Sequence, residues 1–259
     1  MTRHSRFMHS LLVLIGITLI GGVLLWTLWF VEKGDCESPK PNQDLRHCNF
    51  SGINQPGLDL SGARLDGVDF SNAKLSGCNL SHASLKRANF SWANLGGCQV
   101  VDADLSHSNL FHTIFDGGVV SHSLFREANM FGASLNETQG IKANFTRAYM
   151  KDVAMEESDF SGSSFYRAFM QRAVLINSRM RNTNLAITVL TGGAFEEADL
   201  TDSNLSMALM NGASLNDALF TNTHLGNSRF VNANISGADF SGATKIPDHL
   251  REMIARRQD

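Results

Sequence analysis

Apolar and polar positions along this chain follow a period of five. From Leu45 to Phe240 every fifth residue is apolar, 40 positions in one phase, and only Gln55 and Gly140 depart from it. From Ala63 to Ala238 the residue two places earlier is small (Ala, Val, Cys, Ser, Thr or Gly) in all 36 instances. A helix presents a face every 3.6 residues or so and a strand alternates every second residue, so neither produces this spacing. A chain that turns a corner every five residues does. Each side then points one large and one small side chain inward and leaves the rest outside. The pattern predicts an all-β coil over residues 45–244.

The strings Ala63-Arg64-Leu65, Ala83-Ser84-Leu85, Ala88-Asn89-Phe90, Ala198-Asp199-Leu200 and Ala213-Ser214-Leu215 resemble the pentapeptide-repeat family. The resemblance covers about three quarters of the chain. It implies that family's fold, a right-handed quadrilateral parallel β-helix with four sides to a coil. Residues of like size recur at the spacing that such a coil requires. Phe50, Phe70 and Phe90 lie 20 apart, as do Phe125, Phe145 and Phe165, and Met130, Met150 and Met170. Stacked at the inter-strand spacing of about 4.8 Å, about ten coils give a rod on the order of 48 Å long. The four prolines are Pro39, Pro41, Pro56 and Pro247, so none interrupts the stretch where a parallel ladder needs its amide donors.

Solenoids need capped ends. The degenerate start at Gln55-Pro56 reads as one cap. Ile246, Leu250 and Ile254 recur at helical spacing behind Pro247, which suits a first helical turn. Residues 245–259 are therefore expected to hold a short capping helix, Lys245–Arg257. In the family such a terminus often mediates dimers, so the resemblance implies a homodimer through this helix.

The N-terminus carries a different signal. Leu11–Phe30 is 20 residues without a charge, enough to span a bilayer. Trp26, Trp29 and Phe30 stand where an interfacial aromatic belt belongs. Arg3 and Arg6 precede the run, and Glu32, Lys33, Asp35 and Glu37 follow it. The positive-inside rule then places residues 1–10 in the cytoplasm, a transmembrane helix at 11–31 in contact with membrane lipid, and the solenoid outside. A cleaved signal peptide is the competing reading. The run is longer than the usual apolar region of about 7–15 residues, and no small-x-small site follows it. Residues 32–44, polar and proline-containing, read as a linker short enough to hold the rod near the membrane.

Charge and cysteines refine this picture modestly. The chain is near neutral at −3. A basic stretch of Arg167, Arg172, Arg179 and Arg181 has no acid between Phe160 and Phe195, with acidic clusters before and after it. These four arginines are the sequence's candidate contact for a protein partner, against the plainer reading of a mixed solvated surface. Cys48, Cys78 and Cys98 sit at small inward positions, where Cys behaves as a small hydrophobe. A Cys36–Cys48 bridge and a Cys78–Cys98 bridge both remain open. His82, Asp102 and His122 share one outward column and suggest a metal or proton-shuttle site only weakly. No nucleophile elbow, zinc-protease helix, Cys-x-x-Cys pair or phosphate loop occurs. No catalytic residue, cofactor, metal or nucleic-acid partner is therefore expected.

The function this supports is a non-enzymatic, membrane-tethered scaffold or protein-binding module on the extracytoplasmic side of a bacterial inner membrane. Two alternatives come with the resemblance. One is a topoisomerase-protecting DNA mimic of the quinolone-resistance type, which the anchor and the mild net charge disfavour. The other is a translocated effector directed at another membrane.

Overall fold

A computed structural model describes residues 15–20, 23–28 and 34–256. The chain forms two compact units, Met1–Lys33 and Gly34–Asp259.

The second unit is the coil that the period of five demands. Parallel bridges begin at Asp44↔Arg64, Asn49↔Asp69, Asn54↔Lys74 and Asp59↔Asn79, and every bridged residue pairs with the one 20 positions on, ending at His224↔Thr244. Four columns of bridges mean four sides. We label them by their first central residues: side A from Leu45, side B from Phe50, side C from Gln55 and side D from Leu60. Between them lie corners AB, BC, CD and DA.

One pentad shows why the chain accepts this path. The amides of Phe70, Asn72 and Lys74 donate to Asn89 O at 2.6 Å, Ser91 O at 2.9 Å and Ile53 O at 2.7 Å, and Ala73 closes the turn onto Phe70 O at 3.0 Å. The fifth amide, that of Ser71, donates to Oδ1 of Asp69 at 2.9 Å. All five donors are satisfied, as backbone groups away from water must be. The same side-chain cap joins Ser51 to Asn49, Ser91 to Asn89, Ser161 to Asp159 and Thr201 to Asp199. This is the physical origin of the Asn and Asp that precede the large inward residue. The second corner residue is left-handed, as at Gly67 (φ 73°) and Asn72 (φ 58°), the conformation that Gly and Asn reach most readily.

Inside, the columns stack as expected. Ring centroids are 5.1 Å apart for Phe50–Phe70, 4.7 Å for Phe70–Phe90, 4.8 Å for Phe125–Phe145 and 4.9 Å for Phe145–Phe165. Met130, Met150 and Met170 are fully buried in their own column. Some buried hydroxyls at small positions reach backbone carbonyls of the preceding coil, as Thr113 does to Phe90 O at 2.7 Å and Ser163 to Gly140 O at 2.7 Å, and others the carbonyl three residues back, as Ser178 does to Leu175 O at 2.6 Å.

The ends differ in detail from expectation. Residues 34–44 are docked on the first coil and are not a free linker. Gly34 donates to Asp44 O at 3.0 Å, Asn42 to Ser61 O at 2.8 Å, and Cys36 is disulfide-bonded to Cys48. At the other end α1, Asp248–Arg256, is three residues shorter at its start than the expected Lys245–Arg257. Its Leu250 is fully buried, and Met253 and Ile254 pack against the core. His249 Nε2 accepts the Phe230 amide at 3.0 Å, a donor for which no further coil exists.

In the first unit the expected transmembrane helix over 11–31 is not what the described residues form. β1, Ile15–Ile20, pairs antiparallel with β2, Val23–Leu28, from Ile15↔Leu28 to Ile20↔Val23. The reason is in the sequence: two apolar, partly β-branched runs flank Gly21-Gly22, which is also the signature of a hairpin. Periodicity alone does not separate a buried helix from strands in a continuous apolar run. The rest of 11–31, and residues 1–10, lie outside the described residues. Among the described residues no helix is long and apolar enough to cross a membrane.

Candidate functional site

Neighbours on the surface of this rod are residues 20 apart, not residues adjacent in sequence. Sorted that way, the outward side chains separate into distinct strips.

Corner CD is acidic. It carries Asp116, Glu137, the pairs Glu156-Glu157 and Glu196-Glu197, and Asp217, with no Lys or Arg at its turn positions. The diagonally opposite corner AB is basic. It carries Arg46, Lys86, Arg87, Arg126, Arg147 and Arg167 against Asp66 and Glu127. Lys86 pairs with Asp104 at 3.2 Å, and Arg147 with Glu127 at 3.4 Å. Among the described residues no carboxylate lies within ion-pair distance of Arg87, Arg126 or Arg167; the Arg167 guanidinium lies 5.2 Å from the Tyr166 ring centre.

Side B, between corners AB and BC, changes character along its length. Its first coils carry Asp69, Asn89, Asn109 and Asn129, linked by side-chain amides at 2.9, 3.0 and 3.2 Å. The next four positions of the column are Tyr149, Phe169, Val189 and Leu209. On the adjoining corner BC stand Trp92, Phe111 and Phe131. Together these make one continuous ring ladder: Trp92–Phe111 5.5 Å, Phe111–Phe131 5.5 Å, Phe131–Tyr149 6.2 Å and Tyr149–Phe169 5.4 Å. Trp92 is 58% exposed and Tyr149 43%. Lys151 lies 5.9 Å from the Phe131 ring centre, and His112 stacks on Trp92 at 4.3 Å.

The four arginines read from the sequence as one patch are not brought together. Arg167 is on corner AB, Arg172 on corner BC, Arg179 on side D and Arg181 on corner DA. Two are engaged: Arg172 with Asp152 at 2.6 Å, and Arg181 with Asp199. The Arg172 guanidinium holds Asp152 below the ordinary carboxylate value. Burial pushes Asp199 up, but hydrogen bonds from Thr201 and Arg181 outweigh it and leave that carboxyl depressed as well. Reading by position within a 20-residue coil, rather than along the chain, is the signal that would have found corners AB and CD.

The weaker candidates stay weak. His82 Nδ1 is 3.8 Å from Asp102 Oδ2 on an exposed corner, with His122 in the same column. Cys36, His47 and Cys48 place three ligand atoms within 4.8 Å of one another, but the two sulfurs are bonded to each other and offer no thiolate. Cys78 and Cys98 are likewise joined, with Cα atoms 4.5 Å apart on adjacent coils.

A four-sided parallel β-solenoid with inward residues at every fifth position defines the class of protein. A family model described as "Pentapeptide repeats" matches in eight overlapping copies that together run from residue 44 to 244. The chain belongs to the pentapeptide-repeat family. Among solved structures it is similar to HetL, a pentapeptide repeat protein involved in heterocyst differentiation regulation from the cyanobacterium Nostoc sp. Strain PCC 7120. That match has 25% identity and a TM-score of 0.66, covering 78% of this chain and 88% of that one. It is also similar to a trypsin-treated variant of QnrB1, a plasmid-mediated fluoroquinolone resistance protein, with 20% identity and a TM-score of 0.52, covering 80% and 98%. The second likeness is one of fold alone. Both support a right-handed β-helix. No curated protein matches.

Proposed function

We propose that the protein is a non-enzymatic, membrane-tethered scaffold whose solenoid presents a binding surface to protein partners on the extracytoplasmic side of a bacterial inner membrane. The observation that carries this reading is the separation of charge between corner CD and corner AB. Packing fixes the inward residues and turn geometry fixes much of the rest, yet neither requires seven carboxylates to share one corner. Corner CD suits a partner with a basic ridge.

The tether is supported by the 20 uncharged residues Leu11–Phe30. Among the described residues β1 and β2 pair only with each other, and unpaired strand edges are not tolerated in hydrocarbon. In lipid the run is therefore expected to become helical, and a helix of that length spans about 30 Å. The extracytoplasmic side is supported by the Cys36–Cys48 bridge, because disulfides persist in oxidising compartments. In-cell cross-linking tests the surface. Changing Glu156, Glu157, Glu196 and Glu197 to Gln should remove the protein's cross-linked partners; partners retained by that variant would exclude corner CD.

One observation favours the DNA-mimic alternative: the same acidic corner. Its seven carboxylates spread over six coils, about 24 Å at the inter-strand spacing. A duplex carries about 14 charges over that length, so the corner reaches half the density of what it would imitate. Protection of a type II topoisomerase from a quinolone by the purified chain, abolished by the same four Gln changes, would move the reading to this alternative.

A further inference from the structure

We infer that side B is a lipid-facing surface: the rod lies along an anionic bilayer with the Trp92–Leu209 ladder against it. This deepens the tether reading and is separable from it by experiment.

Three observations converge. First, the ladder stands where the fold would do better with something else. Asn or Asp before the inward residue caps the amide two places on, as at Asn89–Ser91. Tyr149, Phe169, Val189 and Leu209 occupy that position without a side-chain oxygen placed to do so. Left-handed backbone, as at Trp92 (φ 62°), is common to corners all round the rod and does not single out this strip. Uncapped positions recur on side C, as at Ile114, Ala154 and Val174; what sets side B apart is four consecutive coils with large apolar side chains at that position, a local rule set aside along one column.

Second, the chemistry is that of an interface belt. Trp, Tyr and Phe concentrate at the headgroup level of bilayers. Here they form a row about 19 Å long, four steps of the inter-strand spacing, from the Trp92 coil to the Phe169 coil, and Val189 and Leu209 carry the apolar strip two steps further. The rings from Phe111 to Phe169 stack on one another with interplanar angles of 7–13°. Stacked in this way the rings turn their faces to one another, whereas a stacking platform for single strands offers its faces to the bases.

Third, the charges around the row match a negative plane. Arg87, Arg126, Arg147 and Arg167 line corner AB on one flank, with Glu127 among them paired to Arg147. On the other, corner BC carries Lys151 beside the Arg172–Asp152 pair. The carboxylates of corner CD do not border side B. An anionic leaflet attracts each such cation by about fivefold in affinity, and the rod would turn corner CD away from the lipid.

Trp92 is the solenoid's only tryptophan and reports directly. The full chain carrying Trp26→Phe and Trp29→Phe is reconstituted with vesicles of phosphatidylcholine, or of phosphatidylcholine with about 30% phosphatidylglycerol, a strongly anionic surface, each with a brominated acyl chain. Flotation reads the tether and quenching of Trp92 reads side B. The expected result is flotation with both compositions, and Trp92 emission blue-shifted and quenched several-fold more with phosphatidylglycerol. Salt at about 0.5 M should reverse the quenching, because it screens the headgroup charge. The variant Arg87→Gln, Arg126→Gln, Arg147→Gln, Arg167→Gln should raise the lipid concentration required at least tenfold. Flotation with Trp92 unquenched, or quenched equally in both lipids, overturns the inference and leaves the tether standing. Absence of flotation with neutral vesicles but quenching by anionic ones overturns the tether and leaves side B standing; failure of both sinks both. Quenching of Trp92 by a single-stranded oligonucleotide at matched salt, exceeding that by vesicles, would assign the strip to nucleic acid instead.

Discussion

The Phe160 ring occupies the space that a side chain on Gly140 would need: a Cβ at Gly140 would collide with Cδ1 and Cε1 of Phe160, one coil further along the same side. Gly140 is thus a filled position. Phe160 also meets Phe145 at 5.7 Å and Phe165 at 6.1 Å, both edge to face, so its ring has little freedom to withdraw. Restoring the sequence period with Gly140→Leu should lower stability by about 2–3 kcal/mol, the cost of overpacking a tight core. Adding Phe160→Leu should recover part of that loss. Chemical denaturation of the two variants checks it, and a stabilising Gly140→Leu would contradict the packing.

Ile187 sits in the left-handed region at φ 61°. For a β-branched residue this is an outlier, and it costs about 1–2 kcal/mol relative to a residue at ease there. Asn already holds the equivalent corner position at Asn182, Asn222, Asn227 and Asn232. Ile187→Asn is predicted to raise stability by about 1 kcal/mol with no change in the circular dichroism spectrum, as read from the denaturation midpoint.

Acid should loosen the rod through its paired carboxylates. Hydrogen bonds from Arg46 to Asp44 and from Arg172 to Asp152 hold those carboxyls below 3.8. At Asp104 and Asp199 burial acts upward and is outweighed by hydrogen bonds from Ser106 and Thr201 and by Lys86 and Arg181, so both are again depressed. A group more acidic in the folded state stabilises it above the unfolded value, and loses that effect as pH falls through the folded one. Stability should therefore be flat above about pH 5 and fall progressively below about pH 4. Replacing Asp199 with Asn should flatten the lower limb. A stability that rises on acidification would contradict these pairings.

The bridge Cys36–Cys48 spans 12 residues with Cα atoms 5.5 Å apart and ties the 34–44 segment to the first coil. A loop of this length is worth about 3 kcal/mol in the chain-entropy account. Cys36→Ser should expose the backbone of residues 34–44 to hydrogen exchange while the coils from Leu60 onward remain protected. Mass spectrometry of the unreduced protein should find no free thiol.

The inward half of this molecule was legible because packing enforces it. Phe50, Phe70 and Phe90 must match in size, since they stack at ring distance. The Asn and Asp of the corner caps answer a backbone demand in the same way, as Asp69 does for the Ser71 amide. What stayed hidden was the surface. Arg167, Arg172, Arg179 and Arg181 are near neighbours in sequence and face different sides, whereas Trp92, Phe111, Phe131 and Tyr149 are far apart in sequence and touch. The run Leu11–Phe30 was ambiguous for another reason: its composition serves a lipid-spanning helix and, around Gly21-Gly22, a hairpin equally well.

The tethered, outward-facing solenoid is tested most directly by one labelling experiment. Ser236, exposed on the last coils, is changed to Cys in the full chain, and intact spheroplasts are treated with a membrane-impermeant maleimide before the membrane fraction is collected. The account predicts complete labelling without lysis, on protein that stays with the membrane. Labelling that appears only after lysis, or labelled protein released in the soluble fraction, would contradict it.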